Sequence, residues 1–116
     1  MHPLGYFASA LDGTTDAAIL SELVSHHGPY LERLSIEAKL ALRAVLSYYV
    51  FYKLRYARGF TIEKAVTEAM PQYTKASILT TILTLEGIST ENAEGLIKFI
   101  TEQCTWSSSA SAWSVK

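Results

Sequence analysis

The chain has 116 residues, a formal net charge of −1, and 49% hydrophobic against 18% charged residues. This length predicts one domain that can fold without metals or cross-links. The near-zero charge excludes a global attraction to nucleic acid, and the single cysteine, Cys104, excludes an internal disulfide. We expect an N-terminal arm at 1–13, a single helical domain at 14–104 and a flexible serine-rich tail at 105–116.

The N-terminal residues lack the basic segment and the sustained apolar run of a secretory signal. The most apolar stretch, residues 40–52, is shorter than the roughly 20 residues that a membrane-spanning helix needs. We therefore expect a cytoplasmic protein with no membrane span.

Glycine and proline divide the chain into segments with helical periodicity, and no segment alternates as a strand would. The first predicted helix begins at Thr14 or Thr15, whose hydroxyls can cap free amides, and it ends at Gly28. The second helix begins at Pro29 or is capped again at Ser35, and it extends to about residue 57.

Three shorter helices are predicted in the second half of the chain. The third is capped by Thr61 and ends before Pro71. Thr74 caps the fourth, Gly87 ends it, and Ser89 begins the fifth. The predicted fold is therefore all-α, a compact bundle of four to five helices around a central apolar helix at about 30–57.

Only Arg43 and Ser47 interrupt the apolar and aromatic run at 40–52. A helix that is apolar on every side belongs in a core or in an oligomer interface. At 100° per residue, one face is predicted to carry Leu34, Ala38, Ala41, Val45, Tyr49, Tyr52 and Tyr56.

The same region concentrates the basic charge, because residues 38–62 contain five cations and no carboxylate. Interleaved rings and cations are typical of protein interfaces, and also of surfaces that bind single-stranded nucleic acid. The candidate partner-binding residues are Lys39, Arg43, Tyr48, Tyr49, Tyr52, Lys53, Arg55, Tyr56 and Arg58.

No catalytic, metal or cofactor site is expected. Glu22 and His26 have the spacing of a metal pair, but His27 points elsewhere on a helix and further ligands are lacking. Cys104 lacks the histidine-containing signature of a catalytic thiol. We therefore expect that the protein is not an enzyme. The hypothesis of a catalyst or ligand carrier built on a tyrosine-lined cavity ranks third.

The leading hypothesis is a non-catalytic, regulatory interaction protein that acts through protein–protein contacts as a homo-oligomer, most simply a homodimer. The alternative is a nucleic-acid-binding regulator that uses the basic second helix. In the C-terminal half of the chain, two predicted helices are joined by a glycine turn, as in a helix-turn-helix motif. The would-be recognition helix, however, carries Glu91, Glu94 and Glu102 against one cation, Lys98, and acidic groups oppose docking on phosphates.

Overall fold

The computed structural model describes residues 3–8, 13–56, 59–73 and 75–110, and the side chains of residues 6, 7, 56 and 106–110 are not part of that description. Within these ranges the chain is helical and contains no strand, which confirms the all-α prediction. The helices are α1 (Leu4–Phe7), α2 (Thr15–His27), α3 (Ile36–Tyr56), α4 (Ile62–Ala69), α5 (Ala76–Leu83) and α6 (Thr90–Ala110).

The central helix of the bundle is α3, which packs against α4, α5 and α6. Its inward side buries Val45, Leu46 and Tyr49 completely or almost completely. Across from them, α6 contributes Leu96 and Phe99, both with no exposed surface. The predicted bundle around an apolar second helix is therefore confirmed.

The predicted caps at the start of α2 and α4 are present. The hydroxyl of Thr14 accepts a hydrogen bond from the amide of Ala17 at 3.1 Å, and that of Thr61 accepts one from Lys64 at 3.1 Å. At the end of α2, Gly28 has a φ of 92°. Only glycine adopts this conformation without steric cost, and a Cβ there would collide with the carboxylate of Glu32.

Of the two predicted starts for α3, the structure shows the later one. The hydroxyl of Ser35 accepts a hydrogen bond from the amide of Ala38 at 3.1 Å, and the helix begins at Ile36. The preceding loop contains Leu31, fully buried at a φ of 51°. Leu31 therefore anchors a connection between α2 and α3, residues 29–35, that is otherwise mostly exposed.

Hydrogen bonds to the Asp16 carboxylate join the start of α2 to the start of α6. The carboxylate of Asp16 accepts hydrogen bonds from the amide of Ser89 at 3.0 Å and from the side chain of Asn92 at 2.7 Å. The hydroxyl of Ser89 in turn accepts a hydrogen bond from the amide of Asn92, so Ser89 caps α6 as predicted. Asp16 thus supplies negative charge at the positive end of α6.

Three boundaries differ from the sequence prediction. The single turn α1 lies inside the predicted arm and buries Leu4 against α6. Helix α5 ends at Leu83 rather than Gly87, and its N-cap is Lys75. The predicted cap, Thr74, lies outside the described residues. Helix α6 continues to Ala110 rather than ending at 104, because no glycine or proline follows Gly95.

Candidate interaction surface

Helix α3 has a second apolar side that no other described element covers completely. Phe51 is 56% exposed and Leu54 is 70% exposed, and both are far more accessible than the buried side of the same helix. Successive members of this side are mostly three or four residues apart, the spacing of one helical face. The outer face of α3 consists of Ile36, Leu40, Ala44, Ser47, Tyr48, Phe51 and Leu54.

The aromatic half of the outer face borders an open groove of about 330 Å³, lined by Ser47, Tyr48, Phe51 and Tyr52. Tyr52 stacks on Tyr48 with ring centroids 5.5 Å apart, and on Phe60 at 5.2 Å. Phe51 meets Tyr52 edge to face at 5.0 Å. Such pairs fix the ring orientations, so the groove has a defined shape before any partner arrives.

Tyr49 belongs to the core rather than to this surface. It is only 1% exposed, and its hydroxyl donates a hydrogen bond to the carbonyl oxygen of Ile88 at 2.6 Å. Burial raises the pKa of the Tyr49 hydroxyl, and the negative charges of Glu86 and Asp16 raise it further. A residue in this position stabilises the bundle and has no surface to offer a partner, so we leave it out of the candidate interface.

The predicted cations lie mainly on other sides of α3. Lys39 is half-buried, and burial lowers its pKa, while the nearby Cys104 and Glu32 act in the opposite direction. The guanidinium of Arg43 donates to the hydroxyl of Thr101 on α6 at 3.3 Å. Both side chains therefore follow the seam between α3 and α6.

The remaining described cations, at the C-terminal end of α3, lie on different sides of the helix. The ammonium of Lys53 lies 5.4 Å from the centroid of the buried Tyr49 ring, on the inward side. Arg55 is exposed and sits beside the outer face. The side chain of Tyr56 and all of Arg58 lie outside the described residues. Within the described part of the chain, most cations are thus separated from the exposed rings.

The helix-turn-helix alternative concerns α5 and α6. Helix α6 turns Ala93, Leu96 and Ile100 into the core, so its accessible side carries Glu91 and Glu94 among its charged residues. Carboxylates on that side would face phosphate groups, which is unfavourable. The geometry therefore adds nothing to the nucleic-acid hypothesis.

A second, more polar cleft of about 330 Å³ opens beside α2 and α5 and is lined by Glu22, Leu23, His26, His27, Thr80, Thr81 and Thr84. Glu22 and His26 form an exposed pair at 2.9 Å. Burial lowers the pKa of His27, and the charges of His26 and Arg33 lower it further. Among the described residues, no group of three or more His, Cys, Asp or Glu is placed to hold a metal.

Sequence reasoning missed the aliphatic part of the outer face, because the predicted site consisted of tyrosines and cations only. Leu40 and Leu54 lie fourteen positions, or two heptads, apart in the sequence. Counting in heptads, rather than searching for a single inner face, could have found the second stripe.

The helices within the described ranges lack the combination of length and apolarity that crossing a bilayer requires. Comparisons with protein-family models, curated proteins and solved structures gave no match.

Proposed function

We propose that this protein is a non-catalytic helical interaction protein that acts in regulation through protein–protein contacts and self-associates through the outer face of α3. The observation that supports the proposal is the exposed row of large hydrophobic side chains on the central helix. A location in the cytoplasm is part of the proposal, and the single unpaired cysteine agrees with a reducing compartment.

The size of the outer face supports a binding role. Its five large side chains expose on the order of 500 Å² together, if each has roughly 200 Å² in the extended chain. The largest apolar patch on a typical monomer is about 300–600 Å² and is often functional. Covering this patch would remove apolar surface from water, which is the main driving force of protein association.

The composition of the surface favours a protein partner over nucleic acid. Aromatic and aliphatic anchors surrounded by a polar rim are the typical centre of a protein interface. A single-stranded nucleic acid would need cations beside the exposed rings to meet its phosphates. Lys39 and Arg43 lie toward α6, and Lys53 lies over the buried Tyr49 ring, so Arg55 is the one of these four described cations that lies beside the exposed rings.

The test is the solution mass of the protein, measured by light scattering over a range of micromolar concentrations. We expect an oligomer for the wild type, and a monomer with unchanged helicity for Phe51→Glu and for Leu54→Glu. The matched control is Leu83→Glu, which changes a leucine on α5 that is also exposed, at 42%, and should leave the mass unchanged. A wild-type protein that is monomeric throughout would contradict self-association.

A second arm of the experiment addresses nucleic acid. Fluorescent single- and double-stranded oligonucleotides are titrated at low and moderate salt with the wild type and with a Lys53→Ala, Arg55→Ala, Arg58→Ala variant. We expect no binding. Salt-sensitive binding that the triple variant loses would replace the proposal with the nucleic-acid alternative.

A further inference from the structure

We propose that the outer face of α3 binds the same face of a second copy in an antiparallel arrangement, with a two-fold axis halfway between positions 44 and 47. This inference depends on the proposed self-association and adds its geometry. The reason is an internal symmetry of the outer face itself. Ala44 and Ser47 are equally distant from that midpoint, and so are Leu40 and Phe51, so these pairs meet when one helix is reversed against another, as a self-complementary interface requires.

Small residues occupy the centre of the symmetric arrangement. Ala44 and Ser47 are both exposed on α3 and would face each other across the axis. Small side chains at a crossing point allow two helices to approach closely. The larger residues lie further out on both sides, where the antiparallel partner places them in contact.

Four of the five large hydrophobic residues pair under the same symmetry, and Tyr48 lies outside it, because its matching position is Arg43 at the seam between α3 and α6. Leu40 would lie opposite the partner's Phe51, and the operation creates this contact twice. Ile36 and Leu54 lie about five turns apart on one line along the helix, and their distances from the axis differ by a single position. Ile36 would therefore pack beside the partner's Leu54 with an offset of about 1.5 Å along the helix. The groove bordered by Ser47 and Phe51 would then receive the partner's Leu40, which is 43% exposed in the single chain.

Charge distinguishes the antiparallel arrangement from a parallel one. Glu37 and Arg55 are also about five turns apart and share one edge of the outer face. An antiparallel partner brings Glu37 of each copy toward Arg55 of the other, whereas a parallel partner brings like charges together. Glu37 already accepts hydrogen bonds from Lys75 and Tyr73, each at 2.8 Å. These bonds hold the carboxylate at this edge.

The experiment uses engineered disulfides in a protein that carries Cys104→Ala. One preparation carries Leu40→Cys, and another carries Phe51→Cys with a short affinity tag, so that a mixed dimer has its own mass. After mixing and mild oxidation we expect the mixed disulfide to dominate. In the antiparallel pair, two copies of the same cysteine are about 16 Å apart along the helix, beyond the roughly 7 Å limit of a disulfide.

The other outcomes contradict the geometry in distinguishable ways. An oligomer that links identical cysteines is parallel, and an oligomer that forms no cross-link uses another face. Either result overturns the antiparallel arrangement while self-association stands. A wild-type chain that is monomeric by light scattering overturns both.

A charge exchange provides a test that removes no large hydrophobic side chain. Arg55→Glu should weaken the dimer about tenfold, because two exposed ion pairs are replaced by repulsion. Adding Glu37→Arg to the same chain should restore most of the affinity only if the helices are antiparallel. Because Glu37→Arg also removes the contacts with Lys75 and Tyr73, Glu37→Arg alone is the control for its effect on folding. No recovery in a double variant that is as helical as the wild type, with Arg55→Glu alone weakening the dimer, would refute the proposed pairing.

Discussion

At the scale of single residues, Tyr49 shows how a residue type that suggests an interface can serve the core. Its ring is buried in the core, and its hydroxyl donates a hydrogen bond to the carbonyl oxygen of Ile88 in the connection before α6. A buried carbonyl without a partner is costly, so this bond matters more than an exposed one. Tyr48, one position earlier, is exposed and provides a direct comparison.

We expect Tyr49→Phe to lower the free energy of unfolding by about 1–2 kcal/mol, because the Ile88 carbonyl is left without a donor. Tyr48→Phe should change it by less than about 0.5 kcal/mol, as is usual for surface substitutions. Urea denaturation followed by circular dichroism measures both. Equal effects of the two substitutions would contradict the core role of the Tyr49 hydroxyl.

Asp16 connects two helices through a carboxylate whose charge is favoured by its surroundings. Burial alone would raise the pKa of Asp16, but the hydrogen bonds from the Ser89 side chain, from Asn92 and from the Ser89 amide outweigh it, and the pKa is lowered. A carboxyl group with a lowered folded-state pKa stabilises the fold above its unfolded pKa, and this contribution is lost as the pH falls through the folded-state value.

We therefore expect Asp16→Asn to destabilise the protein by about 1 kcal/mol at neutral pH, since the group is only partly buried and solvent screens its charge. The difference from wild type should narrow as the pH falls below the ordinary carboxyl value of 3.8. Unfolding curves across this range measure the effect. Glu94→Gln, an exposed change on α6, is the control, and a pH-independent difference at Asp16 would contradict the mechanism.

At the scale of helices, local capping explains most of the boundaries, and α4 shows a cap from a distant segment as well. Thr61 caps the helix from its own sequence, whereas Glu86 reaches the amides of Ile62 and Glu63 at 2.9 and 3.1 Å. A carboxylate at this end also interacts favourably with the helix dipole. The short α4 therefore depends on the segment that follows α5.

Removing this contact should cost stability even though the residue itself is exposed. We expect Glu86→Ala to lower the free energy of unfolding by about 1 kcal/mol, a typical loss for a helix cap. Glu68→Ala, near the other end of α4, should be neutral or slightly stabilising, because a negative charge is unfavourable there. Chemical denaturation of both variants measures the contrast, and a neutral Glu86→Ala would contradict the capping role.

The sequence was sufficient to predict those features that depend on residues close together along the chain. The hydroxyl caps at Thr14 and Thr61 and the stop at Gly28 were predictable because capping is local. The single turn α1 was not predictable, since it depends on Leu4 packing against α6 and on the Leu4 amide donating to the carbonyl of Pro29. Such contacts join parts of the chain that periodicity treats separately.

The candidate surface was predictable only in part, for a related reason. The sequence placed rings and cations on α3, but the direction of Arg43 follows from the position of Thr101 on α6. The position of Lys53 likewise follows from the burial of Tyr49. A helix that is apolar on two sides gives no local signal for which side is covered, so Leu40 and Leu54 were not singled out.

At the scale of the whole molecule, self-association should couple to folding. If an oligomer covers the outer face, the folded state is stabilised by mass action, and the melting temperature rises with protein concentration. We expect an increase of roughly 3 °C for each tenfold rise in concentration. Phe51→Glu should melt at the same temperature at every concentration, and a concentration-independent wild type would contradict the coupling.

The two apolar sides of α3 also affect how uniquely the chain folds. Hydrophobic burial alone would tolerate a bundle in which this helix is rotated about its own axis with the outer face turned inward. The bond between Tyr49 and Ile88 exists in only one rotational setting, so it discriminates against that alternative. We expect Tyr49→Phe to show a second, minor set of amide resonances from the rotated arrangement while it remains helical and still unfolds cooperatively. A single set of resonances for that variant would instead show that side-chain shape alone selects the orientation of α3.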